Sequence, residues 1–148
     1  MSKPASKVLV LHGYAQSGTI LSKRMGAVRK ACGKDVDLVF LDGPHVLSPV
    51  DLAETFNTTE ELGAADASAS DVDPALKPRG WWHPDPERKK TKGIEASLIM
   101  LRDILAKDHY EGVFGFSQGA SMAAVLAALV RTTIRQQIHI SDHAWDPR

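Results

Sequence analysis

Five residues, Gly115-Phe116-Ser117-Gln118-Gly119, carry the sharpest chemical signal in the sequence. A serine two positions from a glycine on either side is a G-x-S-x-G, a pattern that chance produces often. Its setting gives it weight. Gly112 to Phe116 is a short apolar run, and Gln118 to about Val130 is an alanine-rich, helix-forming segment. A sharp strand-to-helix turn would lift Ser117 into an exposed, strained backbone conformation. Glycines at 115 and 119 leave room there for neighbouring backbone, where any Cβ would clash. The Gln118 backbone N–H and the positive end of the helix dipole would face a developing oxyanion. The chemistry that suits this arrangement is attack of a serine hydroxyl on a carbonyl carbon. The competing reading is Ser117 as a plain N-cap in a glycine-bracketed turn, and the strand-to-helix context favours the nucleophile over it.

A second segment, Leu11-His12-Gly13-Tyr14-Ala15-Gln16-Ser17-Gly18, follows the first apolar run directly. The corresponding loop in α/β-hydrolases supplies the other oxyanion-hole N–H, so the backbones of Tyr14 and Ala15 are the candidate donors. His12 invites the role of general base. In that fold, however, the serine precedes the acid and the acid precedes the histidine, so His12 is better suited to orienting its loop or packing. Asp42 and His45 sit together in FLDGPH and invite a carboxylate–histidine pairing. Trp81 and Trp82 either line an acyl pocket or anchor a long loop to the core, and the sequence leaves both open. His12, Trp81 and Trp82 are thus the candidate substrate-contacting side chains. The Arg88-Lys89-Lys90 run reads as a solvated turn.

These residues need a scaffold. Lys7 to Leu11 and Val36 to Leu41 are apolar, β-branched runs suited to strands buried on both faces. Leu21, Met25, Val28 and Cys32 recur at helical spacing, with Ser17 or Thr19 as cap and Gly33 as stop, and place Cys32 on a packed face. Ile94, Leu98, Leu101 and Leu105 mark another amphipathic helix. The order predicts a parallel sheet with right-handed crossovers, in which Val8–Leu11, Asp37–Leu41 and Val113–Phe116 are neighbours. Between Gly43 and Gly93 the chain looks irregular, and Ala64 to Pro78 is expected to be mobile and exposed.

Composition narrows the class. Of 148 residues, 43% are hydrophobic, and 18 basic residues balance 18 acidic ones, so a nucleic-acid footprint is not expected. One cysteine, Cys32, excludes an intramolecular disulfide and a Cys-based zinc site. No segment reads as a secretory leader or as a membrane-length apolar stretch, and Asn57-Thr58-Thr59 is expected to be a chance tripeptide. A cytoplasmic protein without metal or cofactor is the expectation.

VLVLHGYAQSG, FLDGPH, GWW and GVFGFSQGA, in that order, resemble the FSH1-type family of OVCA2-like serine hydrolases. The likeness runs from about Lys7 to Val130. It implies an α/β-hydrolase-like three-layer fold with a parallel sheet, and a Ser–Asp–His triad that cleaves esters or thioesters. It assigns the nucleophile to Ser117 and the oxyanion donors to Gln118 and the loop from His12 to Ala15, and it implies that Asp42 and His45 belong to a cleft-wall and loop-fixing segment rather than to a catalytic pair. A small ester or acyl-thioester is the implied substrate.

Beyond Val130 the resemblance is not carried further, and residues 131–148 read as a divergent tail on one domain spanning 1–148. Only Asp142 and Asp146 remain as acids after Ser117, and only His139 and His143 as bases. A short strand over Ile138 to Ile140 would bring Asp142 to the sheet edge that carries Ser117. Asp142 and His143 are adjacent, though, and neighbours on an extended chain point to opposite sides. The expectation is a fold incomplete on its C-terminal side, inactive as it stands, with an uncovered edge beside Val113–Phe116 that invites self-association. An acyl-protein-thioesterase-like enzyme and a non-catalytic interaction fragment are the alternatives.

Overall fold

The computed structural model describes residues 5–55, 73–85, 87 and 90–142. Three strands form its parallel sheet: β1 (Ser6–Leu11), β2 (Val36–Leu41) and a later strand, Gly112–Gly115, in the order β2, β1, Gly112–Gly115. Leu9 lies opposite Val39 on one side and Val113 on the other; Leu11 lies opposite Leu41 and Gly115. The three apolar runs are therefore neighbours, with the central one buried on both faces as its unbroken hydrophobicity requires.

Helices lie between the strands. The expected amphipathic helix after β1 is two pieces, α1 (Gly18–Arg24) and α2 (Gly26–Cys32), broken at Met25. Ser17 caps α1 by accepting from the Ile20 N–H at 3.2 Å. Gly26, a poor helix former, stands at the break. The break turns the second piece away from the core: Leu21 is buried, Val28 is 48% exposed and Cys32 only half-buried.

The stretch read as irregular contains short regular pieces: β3 (His45–Val46), α3 (Pro49–Thr55), a 3-10 turn (Pro74–Leu76), β4 (Arg79–Gly80), β5 (His83–Pro84) and β6 (Thr91–Lys92). β3 pairs antiparallel with β4, and β5 with β6. α3 opens on a capping box: Ser48 N–H donates to Asp51 Oδ2 at 2.8 Å, and Asp51 N–H donates back to Ser48 Oγ at 3.3 Å. Of the segment expected to be mobile, 64–72 lies outside the described residues. Its remainder is tied down, since Ser17 Oγ donates to the Ala75 carbonyl at 2.7 Å and Leu47 N–H to the Pro78 carbonyl at 2.9 Å. Local polarity concealed these long-range bonds.

α4 (Ile94–Lys107), β7 (Gly112–Gly115) and α5 (Gln118–Asp142) complete the chain. Leu101 of α4 and Met122, Ala123 and Leu126 of α5 pack with Leu9, Leu11 and Trp81 in the main core. β7 is an outer strand among the described residues, and Phe114 on it is 46% exposed.

One expectation fails in α5. Residues 138–140 are helical, not a strand, because the helix continues unbroken from Gln118 to Asp142. At about 1.5 Å per residue, the backbone of Asp142 lies roughly 36 Å along the axis from the start of the helix. Asp142 is therefore carried away from Ser117, and the edge position foreseen for it does not exist.

Candidate active site

Ser117 occupies the single residue between the Gly112–Gly115 strand with Phe116 and the α5 helix. Its φ is +52°, in the left-handed region that side chains disfavour. Two close approaches force this turn. A Cβ on Gly115 would stand 2.2 Å from the Gly119 carbonyl oxygen, and one on Gly119 would stand 2.2 Å from the Leu11 oxygen and 2.5 Å from that of His12. Both glycines thus bring backbone against backbone, and α5 starts in contact with the end of β1. Phe116 N–H donates to the Leu11 carbonyl at 3.0 Å, and Ala120 N–H to the Ser117 carbonyl at 2.9 Å. Ser117 itself is exposed.

The loop after β1 lies beside it. A Cβ on Gly13 would come within 3.3 Å of the Ser117 Cβ. Gln16 N–H closes a turn onto the Gly13 carbonyl at 3.2 Å, and the Gln16 side chain accepts from the Gly13 N–H at 3.2 Å. Within that turn Ala15 has φ +59°. Among the described residues, Ala15 and Ser117 are the non-glycine positions with positive φ. They sit in the two adjoining loops that sequence reasoning singled out, and such strain persists only where surrounding structure over-determines it.

His12 is fully buried and both ring nitrogens are engaged. Nδ1 lies 2.7 Å from the Gly13 carbonyl, which can only accept, so Nδ1 carries the proton; Nε2 accepts from the Gly43 N–H at 2.8 Å. Neither nitrogen remains to take a proton from Ser117 or to meet a ligand. His12 fixes the loop. Burial pushes its pKa below the ordinary histidine value, outweighing the Gly13 bond and the Asp42 charge that favour the imidazolium.

That shift has a stability consequence. Unfolded His12 takes up a proton near pH 6.5, whereas the folded chain holds it neutral to lower pH. Its contribution is therefore complete above about pH 6.5 and is lost as pH falls from there toward the folded value. We expect a urea midpoint that falls with acidification below about pH 6.5, at up to about 1.4 kcal/mol per pH unit from this group. A His12 ring resonance titrating near 6.5 with the fold intact would contradict this.

Trp81 is also fully buried, and each of its polar groups is bonded. The indole N–H donates to the His12 carbonyl at 2.8 Å, the main-chain N–H to Gln118 Oε1 at 2.8 Å, and its carbonyl accepts from Ser97 Oγ at 2.5 Å. Its ring centroid is 5.3 Å from that of His12. Trp81 is thus an anchor without a face for a ligand. Trp82 retains partial exposure, and its carbonyl accepts from Gln118 Nε2 at 2.9 Å. Ser97 escaped the sequence reading, although it falls at helical spacing between Ile94 and Leu101, where a polar residue calls for a partner.

Asp42 and His45 do not pair with each other. Asp42 Oδ1 accepts from the Gly18 N–H at 2.7 Å, while His45 Nε2 donates to the Gly93 carbonyl at 2.8 Å. A separate carboxylate–imidazole contact joins Asp51 Oδ1 to His83 Nδ1 at 3.3 Å. Among the described residues, no group of three or more His, Cys, Asp or Glu could hold a metal ion, and no helix is long and apolar enough to cross a membrane.

A family model described as serine hydrolase (FSH1) matches residues 1–144, a span that continues past Val130. The Danio rerio esterase OVCA2 is 34% identical over 140 residues, covering 87% of this chain and 58% of its own. The Homo sapiens esterase OVCA2 is 32% identical over 133 residues, 83% of this chain and 55% of its own. An Aedes aegypti esterase is 32% identical over 131 residues, 83% of this chain and 42% of its own. The chain therefore spans about half the length of the curated relatives it matches.

Proposed function

Because the chain belongs to the FSH1 family of serine hydrolases, we propose that Ser117 is the nucleophile of an esterase that cleaves carboxylic ester or thioester bonds through an acyl-enzyme. The observation that carries this reading is the backbone strain at Ser117, a φ of +52° enforced by Gly115 and Gly119. A plain N-cap needs no such conformation, since its backbone is ordinarily extended. An exposed serine held in the left-handed region beside a second strained loop costs of order 1–3 kcal/mol per strained position and suits a reacting group.

In this reading the hydroxyl oxygen bonds to the substrate carbonyl carbon while its proton passes to a base. The carbonyl oxygen takes the negative charge and faces the Gln118 N–H together with that of Tyr14 or Ala15. Collapse expels the alcohol or thiol and leaves the acyl group on Ser117; water then releases the acid. Trp82, which keeps exposed surface, is the tryptophan available to an acyl chain.

Covalent labelling tests the assignment. A fluorophosphonate held with the protein until the reaction plateaus is expected to modify Ser117, located by peptide mapping, and to leave Ser117→Ala unmodified. Modification of another serine, or equal labelling of the variant, overturns the assignment.

A further inference from the structure

Gln118 does more than begin a helix. A glutamine side chain in a first helical turn ordinarily samples solvent, and fixing it costs up to about 2 kcal/mol of rotamer entropy. Here it is half-buried and both amide atoms are used: Oε1 accepts from the Trp81 N–H and Nε2 donates to the Trp82 carbonyl. The orientation is set by chemistry, because a flipped amide would oppose donor to donor and oxygen to oxygen. The far end of this grip is rigid. Trp81 is held to the His12 carbonyl at the end of β1 and to Ser97 of α4. The near end is covalently the residue after Ser117, and Gly119 follows against the same His12 carbonyl.

We infer that Gln118 is a positioning residue: its carboxamide grips the main chain of Trp81 and Trp82, and that grip aims its own backbone N–H beside Ser117. The inference rests on the reading of Ser117 as nucleophile, and it deepens it by joining the GWW segment to the oxyanion site. It also gives the Trp81-Trp82 pair a role that does not depend on touching substrate.

The test compares the 148-residue chain with Gln118→Met, Gln118→Glu and Ser117→Ala. Phenylboronic acid is the probe, since its tetrahedral serine adduct reads the oxyanion site at equilibrium without requiring turnover. Affinity is followed between about pH 3.5 and pH 7, a range that spans the ordinary glutamate titration near 4.3, each variant being divided by wild type at the same pH. Backbone exchange at Trp81 is measured in parallel. Gln118→Met, which keeps the shape and loses both bonds, is expected to weaken the adduct on the order of ten-fold throughout and to speed Trp81 N–H exchange. Gln118→Glu is expected to match wild type while its carboxyl is protonated and can donate to the Trp82 carbonyl. Once ionised it still accepts from the Trp81 N–H but can no longer donate to the Trp82 carbonyl, and its affinity should fall toward the methionine level. A purely structural role would leave that ratio flat across pH. Unchanged Trp81 exchange in Gln118→Met overturns the grip, whatever the boronate does. Faster exchange with undiminished boronate affinity overturns the positioning role alone. Wild-type boronate binding equal to that of Ser117→Ala overturns the nucleophile, and the positioning role with it, while the exchange data still report whether the grip exists.

Discussion

A polypeptide of these 148 residues is expected to hydrolyse a short activated ester barely faster than its Ser117→Ala variant. A serine hydroxyl is a weak nucleophile until a positioned base takes its proton, and such a base contributes about 10²–10⁴-fold. Of the five described histidines, four are out of place and the fifth, His83, has its Nδ1 3.3 Å from Asp51 Oδ1. His12 has both nitrogens bound to backbone, and His45 spends Nε2 on the Gly93 carbonyl. His109 lies just before β7, at the end of the parallel sheet opposite Ser117. His139 is on α5, with its backbone roughly 31 Å along the axis from Gln118. What remains is the oxyanion site and binding, which in triad hydrolases sustain roughly 10³–10⁴-fold acceleration over water without the triad. That residue of catalysis survives in Ser117→Ala too, so the two proteins should differ little. Steady-state assays side by side decide it. Robust turnover abolished by Ser117→Ala would defeat the argument. A further loss on His83→Ala would then assign the base to the Asp51–His83 pair, and one on His143→Ala would assign it to the tail.

The central frame was legible because periodicity and burial agree. KVLVL and VDLVFL both became strands of a parallel sheet, but burial on both faces holds only for the central one; β2, with β1 on one side alone among the described residues, is half-buried and exposes Asp37. The serine turn was legible because two glycines flank it, and each proves to be a point of backbone contact. Illegible features were those decided across long sequence distances. Nothing near Trp81 announces that its three polar groups meet His12 just after β1, Ser97 of α4 and Gln118 of α5. The tie between Ser17 and Ala75 likewise joins residues far apart in the chain. The end of the chain misled for a different reason. IHI looks like a strand by β-propensity, but it continues a helix already nucleated over many turns, and extending a helix is far easier than starting one. Met25 shows the converse: its apolar period was intact, yet the following glycine stands where the helix breaks.

Gly119→Ala is expected to be strongly destabilising, and comparison with two other glycines makes the expectation specific. The added carbon would stand 2.2 Å from the Leu11 oxygen and 2.5 Å from the His12 oxygen. Both are backbone atoms, so no side-chain rotation relieves the contact. Either α5 withdraws from β1, breaking its packing through Met122 and Leu126, or the end of β1 shifts and disturbs the His12 bonds to Gly13 and Gly43. Overpacking of a dense core costs about 1–3 kcal/mol and occasionally more. A clash with two fixed carbonyls belongs at or above the top of that range, a large share of a typical 5–15 kcal/mol stability. At Gly26, by contrast, an added Cβ meets nothing within 4 Å and the backbone is helical. Alanine there should stabilise by about 0.4–1 kcal/mol, by restricting the unfolded chain. Gly33 is equally open but has φ +60° with ψ −132°, so alanine at 33 should destabilise through strain alone, by about 1–3 kcal/mol. Urea denaturation of the three variants, with m-values compared to confirm a common transition, reads all three signs at once. An unchanged midpoint for Gly119→Ala would mean that α5 does not begin against the end of β1, and the strained turn that presents Ser117 would lose its cause.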